Sequence, residues 1–95
     1  MYGSVFRMRP KSGMASQLRE VMMSNPRQPK GMVAAYLLNE DGSQDVWGLA
    51  VFEDEQTYRD NANDPAQDAE YRKFRELLES DPEWHDGSMD SFRGG

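Results

Sequence analysis

The stretch V-W-G-L-A-V-F-E-D-E-Q-T-Y-R, residues 46–59, decides the fold. Its first half is almost wholly apolar and its second half turns abruptly polar. Side chains alternate along an extended strand, so Val46, Gly48, Ala50 and Phe52 share one face and Trp47, Leu49 and Val51 the other. Both faces are oily, the pattern of a strand covered from both sides. A chain of 95 residues is expected to form one domain with one modest core. It can lay helices over one face but has little left for the other. A second copy of the chain is therefore expected to cover that face.

Working outward, residues 32–38 form another run that is apolar on both faces. Asn39-Glu40-Asp41-Gly42-Ser43 joins the two runs, and Asp41-Gly42 is a tight-turn signal, so they read as an antiparallel hairpin. Residues 2–9 alternate less cleanly, with Tyr2, Phe6 and Met8 on one side and Val5, Arg7 and Arg9 on the other. They read as a strand ended by Pro10, lying beside the hairpin. Met14, Leu18, Val21 and Met22 recur at helical spacing; Ser12 is placed to cap that helix, and Ser24-Asn25-Pro26 stops it.

Residues 53–61 read as a helix whose acidic first turn suits the positive end of its dipole. Asp64 is then the cap of a second helical segment starting at Pro65. Tyr71, Phe74, Leu77 and Leu78 make its buried face, and Ser80-Asp81-Pro82 ends it. Residues 83–92 form a last strand, unless Asp86-Gly87-Ser88 makes a turn. The order predicts an α+β fold: a ferredoxin-like βαββαβ arrangement with a four-stranded antiparallel sheet and the helices on one face. The other face, with Trp47, Leu49 and Val51, would be a larger apolar patch than a lone soluble subunit tolerates. Two such sheets pairing as a dimeric α+β barrel would bury more than about 1,000 Å².

Composition narrows the function. Without cysteine there is no disulfide framework and no thiolate nucleophile or ligand, as suits a reducing compartment. No apolar run is long enough for a signal peptide or a membrane span, so the cytoplasm is the expected location. The net charge of −6 is unevenly spread, because residues 1–30 carry six basic groups and a single acid, Glu20. Basic and acidic surfaces then lie near each other, or a basic rim draws in an anionic ligand. The acidic total disfavours nucleic acid, and Arg93-Gly94-Gly95 is one copy of a motif that matters when repeated.

The chemistry centres on the small residues of the helix-covered face. Gly48 and Ala50 either let a helix pack closely or leave a hollow walled by Phe52, Tyr58 and helix methionines. Such a hollow would take a flat, hydrophobic small molecule with a few polar groups. Tyr58 and Arg72 would be those polar groups, an arginine near a phenol favouring the phenolate or holding a substrate enolate. Tyr36, Asn61 and His85 complete the candidate binding set with Gly48 and Phe52. His85 alone has an unperturbed pKa near neutrality, and it serves either as an acid or base or as a solvated surface residue. It cannot make a metal site alone. The run 60–64, D-N-A-N-D, lacks the ligand alternation and glycine of a calcium loop.

Taken together, Phe52-Glu53-Asp54-Glu55-Gln56-Thr57-Tyr58-Arg59, Asn61, Asp64-Pro65 and Asp81-Pro82 resemble the antibiotic biosynthesis monooxygenase-like domains of the dimeric α+β barrel superfamily. The likeness runs through nearly the whole chain in element order. It implies a homodimer, and some members oxidise aromatic polyketides without metal or flavin, so no cofactor is expected. Cofactor-free oxygenases of this kind use a tyrosine where Tyr58 stands and an arginine where Arg72 stands, so the resemblance implies these two as the catalytic groups. They carry a tryptophan in place of Phe52 and an asparagine in place of Gly48. Haem-degrading members need a histidine from the second helical region, and this chain has none there. Two functions follow from the likeness: a cofactor-independent monooxygenase acting on planar aromatic or quinol-type substrates, or a non-catalytic dimeric ligand-binding or interaction module.

Overall fold

A computed structural model describes residues 1–94. The elements run β1 (Tyr2–Met8), α1 (Ala15–Met23), β2 (Met32–Asn39), β3 (Val46–Phe52), α2 (Glu55–Ala62), α3 (Pro65–Arg75) and β4 (Glu83–Ser88). The strands form one antiparallel sheet in the order β2-β3-β1-β4. This is the expected ferredoxin-like α+β architecture. The β2–β3 hairpin turns where expected, with Gly42 at φ +73°, a backbone conformation that suits a residue without a Cβ.

Cross-strand register assigns the faces. Ser4 pairs with Ala50, Phe6 with Gly48 and Met8 with Val46, and all lie on the side that the helices cover. Val5 with Leu49 and Arg7 with Trp47 lie on the outer side. The period-two reading of β3 holds along its whole length. Phe6, Met8, Leu18, Val46, Phe74 and Leu78 make the core, at the end of the sheet where α1 and α3 meet it.

Gly48 explains how this core is divided. A Cβ there would lie 2.1 Å from Cζ of Phe6, so the Phe6 ring occupies the room that a side chain would need. Of the two uses expected for the small residues on this face, Gly48 serves close packing. It packs against a side chain of its neighbour strand rather than against a helix.

Several local expectations change. Ser12 does not cap α1: the helix begins at Ala15 after Met14, with no side-chain cap bond. Gly13, at φ +78°, turns the chain first, and this carries Ser12 too far upstream of the first helical turn. The helix expected over 53–61 starts two residues later, because Asp54 is itself the cap and accepts from the Thr57 N–H at 2.8 Å. Leu77 and Leu78 lie beyond the end of α3. Leu78 is nonetheless buried and itself forms an isolated antiparallel bridge with Pro10. β4 stops at Ser88, which pairs with Tyr2, the first residue of β1, and beyond it the ladder has no partner strand. Asp86, Gly87 and Ser88 therefore belong to the strand, and Phe92 projects into solvent.

Candidate functional site

Beyond the Phe6 ring, where Ala50 follows Gly48 along β3, the space between sheet and helices is hollow. The cavity there measures about 760 Å³ and is open at one side. Its walls are largely apolar, with Met22, Phe52, Tyr71, Phe74 and Trp84 among them, and its polar groups include Ser4, Arg27, Tyr58, Asn61 and Gln67.

Tyr58 is set by its helix and its strand neighbours. The Asp54 cap fixes the first turn of α2, and the next residue after Thr57 points back at the sheet. The Tyr58 ring meets Phe52 edge-on, centroids 5.5 Å apart, and lies 5.2 Å from the Tyr2 ring. Its hydroxyl donates to Oδ1 of Asp86 at 3.0 Å. Burial first, and then the neighbouring carboxylate, push the Tyr58 pKa up to about 12. The group is a neutral phenol at ordinary pH, the opposite of the phenolate expected from an adjacent arginine. Asp86 is exposed and does not line the cavity, so Tyr58 stands between the cavity and a solvent-facing carboxylate.

A second polar cluster borders the cavity. Arg27, from the loop between α1 and β2, donates to Oε1 of Gln67 at 2.9 Å and to Oδ2 of Asp64 at 3.3 Å. Asp64 also caps α3 by accepting from the Ala66 N–H at 2.8 Å. Nδ2 of Asn61 reaches the same Gln67 oxygen at 3.5 Å. Two atoms of cavity-lining residues are sealed from water without a well-formed hydrogen bond: Oγ of Ser4, which lies close enough to the Tyr58 hydroxyl to pull its pKa down in part, and Oδ1 of Asn61. Such groups are costly to leave unpaired.

The structure brings Phe52, Tyr58 and Asn61 together at the cavity. It does not bring Arg72 there. That side chain is 77% exposed and paired with Asp68 one turn back on α3. Gly48 lies under the Phe6 ring rather than in the wall. Tyr36 pairs with Leu49 on the outer side and is largely exposed, and it is also among the residues that line the cavity. His85 pairs with Val5, again on the outer side, and its ring bonds Glu83 at 2.9 Å.

Four polar residues escaped the sequence reading: Ser4, Arg27, Gln67 and Asp86, of which Gln67 carried no pattern of its own. Period two alone puts Ser4 between Tyr2 and Phe6 on the covered face, and Asp86 on the face of Trp84. Arg27 had only a weak signal, its place between Pro26 and Pro29 in a short loop. Among the described residues, no group of three or more His, Cys, Asp or Glu side chains is arranged to hold a metal ion. Nor, among them, is any helix long and apolar enough to cross a membrane.

No family model and no curated protein sequence matches the chain. Solved structures do. A cofactor-independent oxygenase from Streptomyces nogalater, SnoaB in a mutant form, is similar with a TM-score of 0.82 at 18% identity, covering 95% of this chain and 93% of its own. A monooxygenase from the gene ActVA-Orf6 of Streptomyces coelicolor, in complex with nanaomycin D, gives 0.81 at 20% identity, covering 99% and 91%. A Chloroflexus aurantiacus J-10-fl protein proposed as an antibiotic biosynthesis monooxygenase gives 0.80 at 17%, covering 98% and 96%. At these identities the likeness is one of fold, and the fold is that of antibiotic biosynthesis monooxygenase-like proteins.

Proposed function

We propose that the chain works in the cytoplasm as a single-domain homodimer, a cofactor-independent monooxygenase acting on planar aromatic or quinol-type molecules. The observation that carries this is an open, mostly apolar cavity that reaches Tyr58. A collapsed space between sheet and helices would have argued for a non-catalytic dimeric module. The oxygenases among proteins of this fold support the reaction class.

In this reading a flat substrate lies between Phe52 and the apolar side chains of α1 and α3. Its ring hydroxyl bonds to the oxygen of Tyr58. As that proton moves onto Tyr58, the phenol proton passes to Asp86 and then to water. The electron-rich anion left behind is held near the Arg27 guanidinium, which takes the part expected of Arg72. It gives electrons to molecular oxygen and forms a carbon–oxygen bond. For a ring methylene the balance is one oxygen molecule in, with one ring carbonyl and one water out.

The second copy covers the outer face. Tyr36 and Leu38, 64% and 58% exposed, flank the half-buried Trp47 and Leu49 in one apolar surface. One observation favours the other reading, a non-catalytic binding module: Arg72 lies away from the cavity. Oxygen uptake separates the two. Purified protein given anthrone- or quinol-type substrates should consume oxygen, and Tyr58→Phe should slow it about 100-fold. No uptake by the unaltered protein leaves the binding module; full activity in Tyr58→Phe removes Tyr58 from the mechanism.

A further inference from the structure

Building on that reading, we infer that Ala35 sets the length of the ligand, the cavity taking a narrow, flat molecule of fused rings that lies across the strands. The inference starts from one rung of the sheet. Ala35 pairs with Ala50, Ala50 with Ser4 and Ser4 with Asp86, so three small side chains stand side by side on the helix-covered face. All three belong to residues that line the cavity. The neighbouring rungs are bulky. Leu37, the Phe6 ring seated over Gly48, and Trp84 make one bank, and Met32 and Phe52 make the other. The floor of the cavity is therefore a trough that runs from strand to strand and not along them.

The trough has a closed end and an open one. Ser4 is buried, Ala50 half-buried and Ala35 exposed, although all three face the same way. Asp86, the last member of the rung, accepts from the Tyr58 hydroxyl, and this puts Tyr58 at the closed end. β2 is an edge strand, so the open end lies where Ala35 stands. From Ser4 to Ala35 is two strand spacings, about 10 Å. A ligand whose ring hydroxyl meets Tyr58 points its far end at Ala35. Three fused rings in a line fill that span, and two stop short of Ala35. The methyl group of Ala35 leaves the far end clear, whereas a longer side chain there closes it. Ala35 lies outside the core cluster, so such a change is read in binding and not in folding.

Equilibrium binding under strictly anaerobic conditions tests this by calorimetry, with naphthol and hydroxyanthracene as probes, each bearing its hydroxyl at one end of the long axis. Ala35→Leu should weaken hydroxyanthracene at least about tenfold, the scale of overpacking, and leave naphthol within about twofold of the unaltered protein. Ala35→Ile, whose branched side chain suits a strand, should do the same and guards against a folding defect in the first variant. Equal weakening of both probes, weakening of neither, or no binding of hydroxyanthracene by the unaltered protein would overturn the inference. Because no oxygen is present, the outcome is independent of turnover. Oxygen uptake in a protein whose Ala35 variants are blind to length removes only this inference. A length rule without uptake removes only the oxygenase reading.

Discussion

At the scale of single residues, Gly48 and Tyr58 show how neighbours reset what a side chain means. Gly48 was legible as a special position on the covered face, yet its partner was not, because the sequence says that a small residue is needed without saying what fills the gap. The answer, the Phe6 ring, makes a sharp expectation. Gly48→Ala would force that ring out of place and should cost about 1–3 kcal/mol, the usual range for overpacking. Thermal unfolding followed by circular dichroism should show the midpoint falling by several degrees (about 4–8 °C per kcal/mol). A midpoint unchanged from the parent would mean that the ring is not seated there. Tyr58 was legible as a candidate, but its charge state was not: no local pattern links residue 58 to Asp86, and only the sheet register brings β4 to that spot.

Elements were the most legible level, because they rest on periodicity and on turn chemistry. The hairpin, the Asp64-Pro65 start of α3 and the two-sided pattern of β3 follow from those rules directly. Misreadings fell at the ends, where capping competes: Ser12 gave way to the Gly13 turn, and Asp54 proved to be a cap rather than the first turn of its helix. That cap has a pH signature. Hydrogen bonds from Thr57 hold the Asp54 carboxyl below its ordinary value in the folded chain. A depressed native value means that the stabilisation is present above the unfolded value and fades as pH falls through the folded one. Asn still caps but does not titrate. Denaturant midpoints taken from neutral pH down to about 3 should therefore converge for the parent and Asp54→Asn, the parent losing its advantage as acid is added. Parallel curves would show that Asp54 contributes nothing to acid sensitivity.

On the scale of the whole molecule, the proposed pairing makes the simplest demand. Light scattering at micromolar concentration should return twice the 10.9 kDa of one chain. Leu49→Asp, at the middle of the outer face opposite Val5 and Tyr36, should return it to a single-chain mass. A parent that runs as one chain would remove the barrel from the proposal and leave the cavity in each subunit standing. The placement of the Phe6 ring bears on how such a protein changes over evolutionary time. It acts as a partition: on one side lie Met8, Leu18, Val46 and Leu78, which keep the chain folded, and on the other a chamber with its own furnishings, Phe74 alone serving both. Alterations to the chamber side need not undermine the foundation, so new ligand preferences can be explored there while the architecture stays sound.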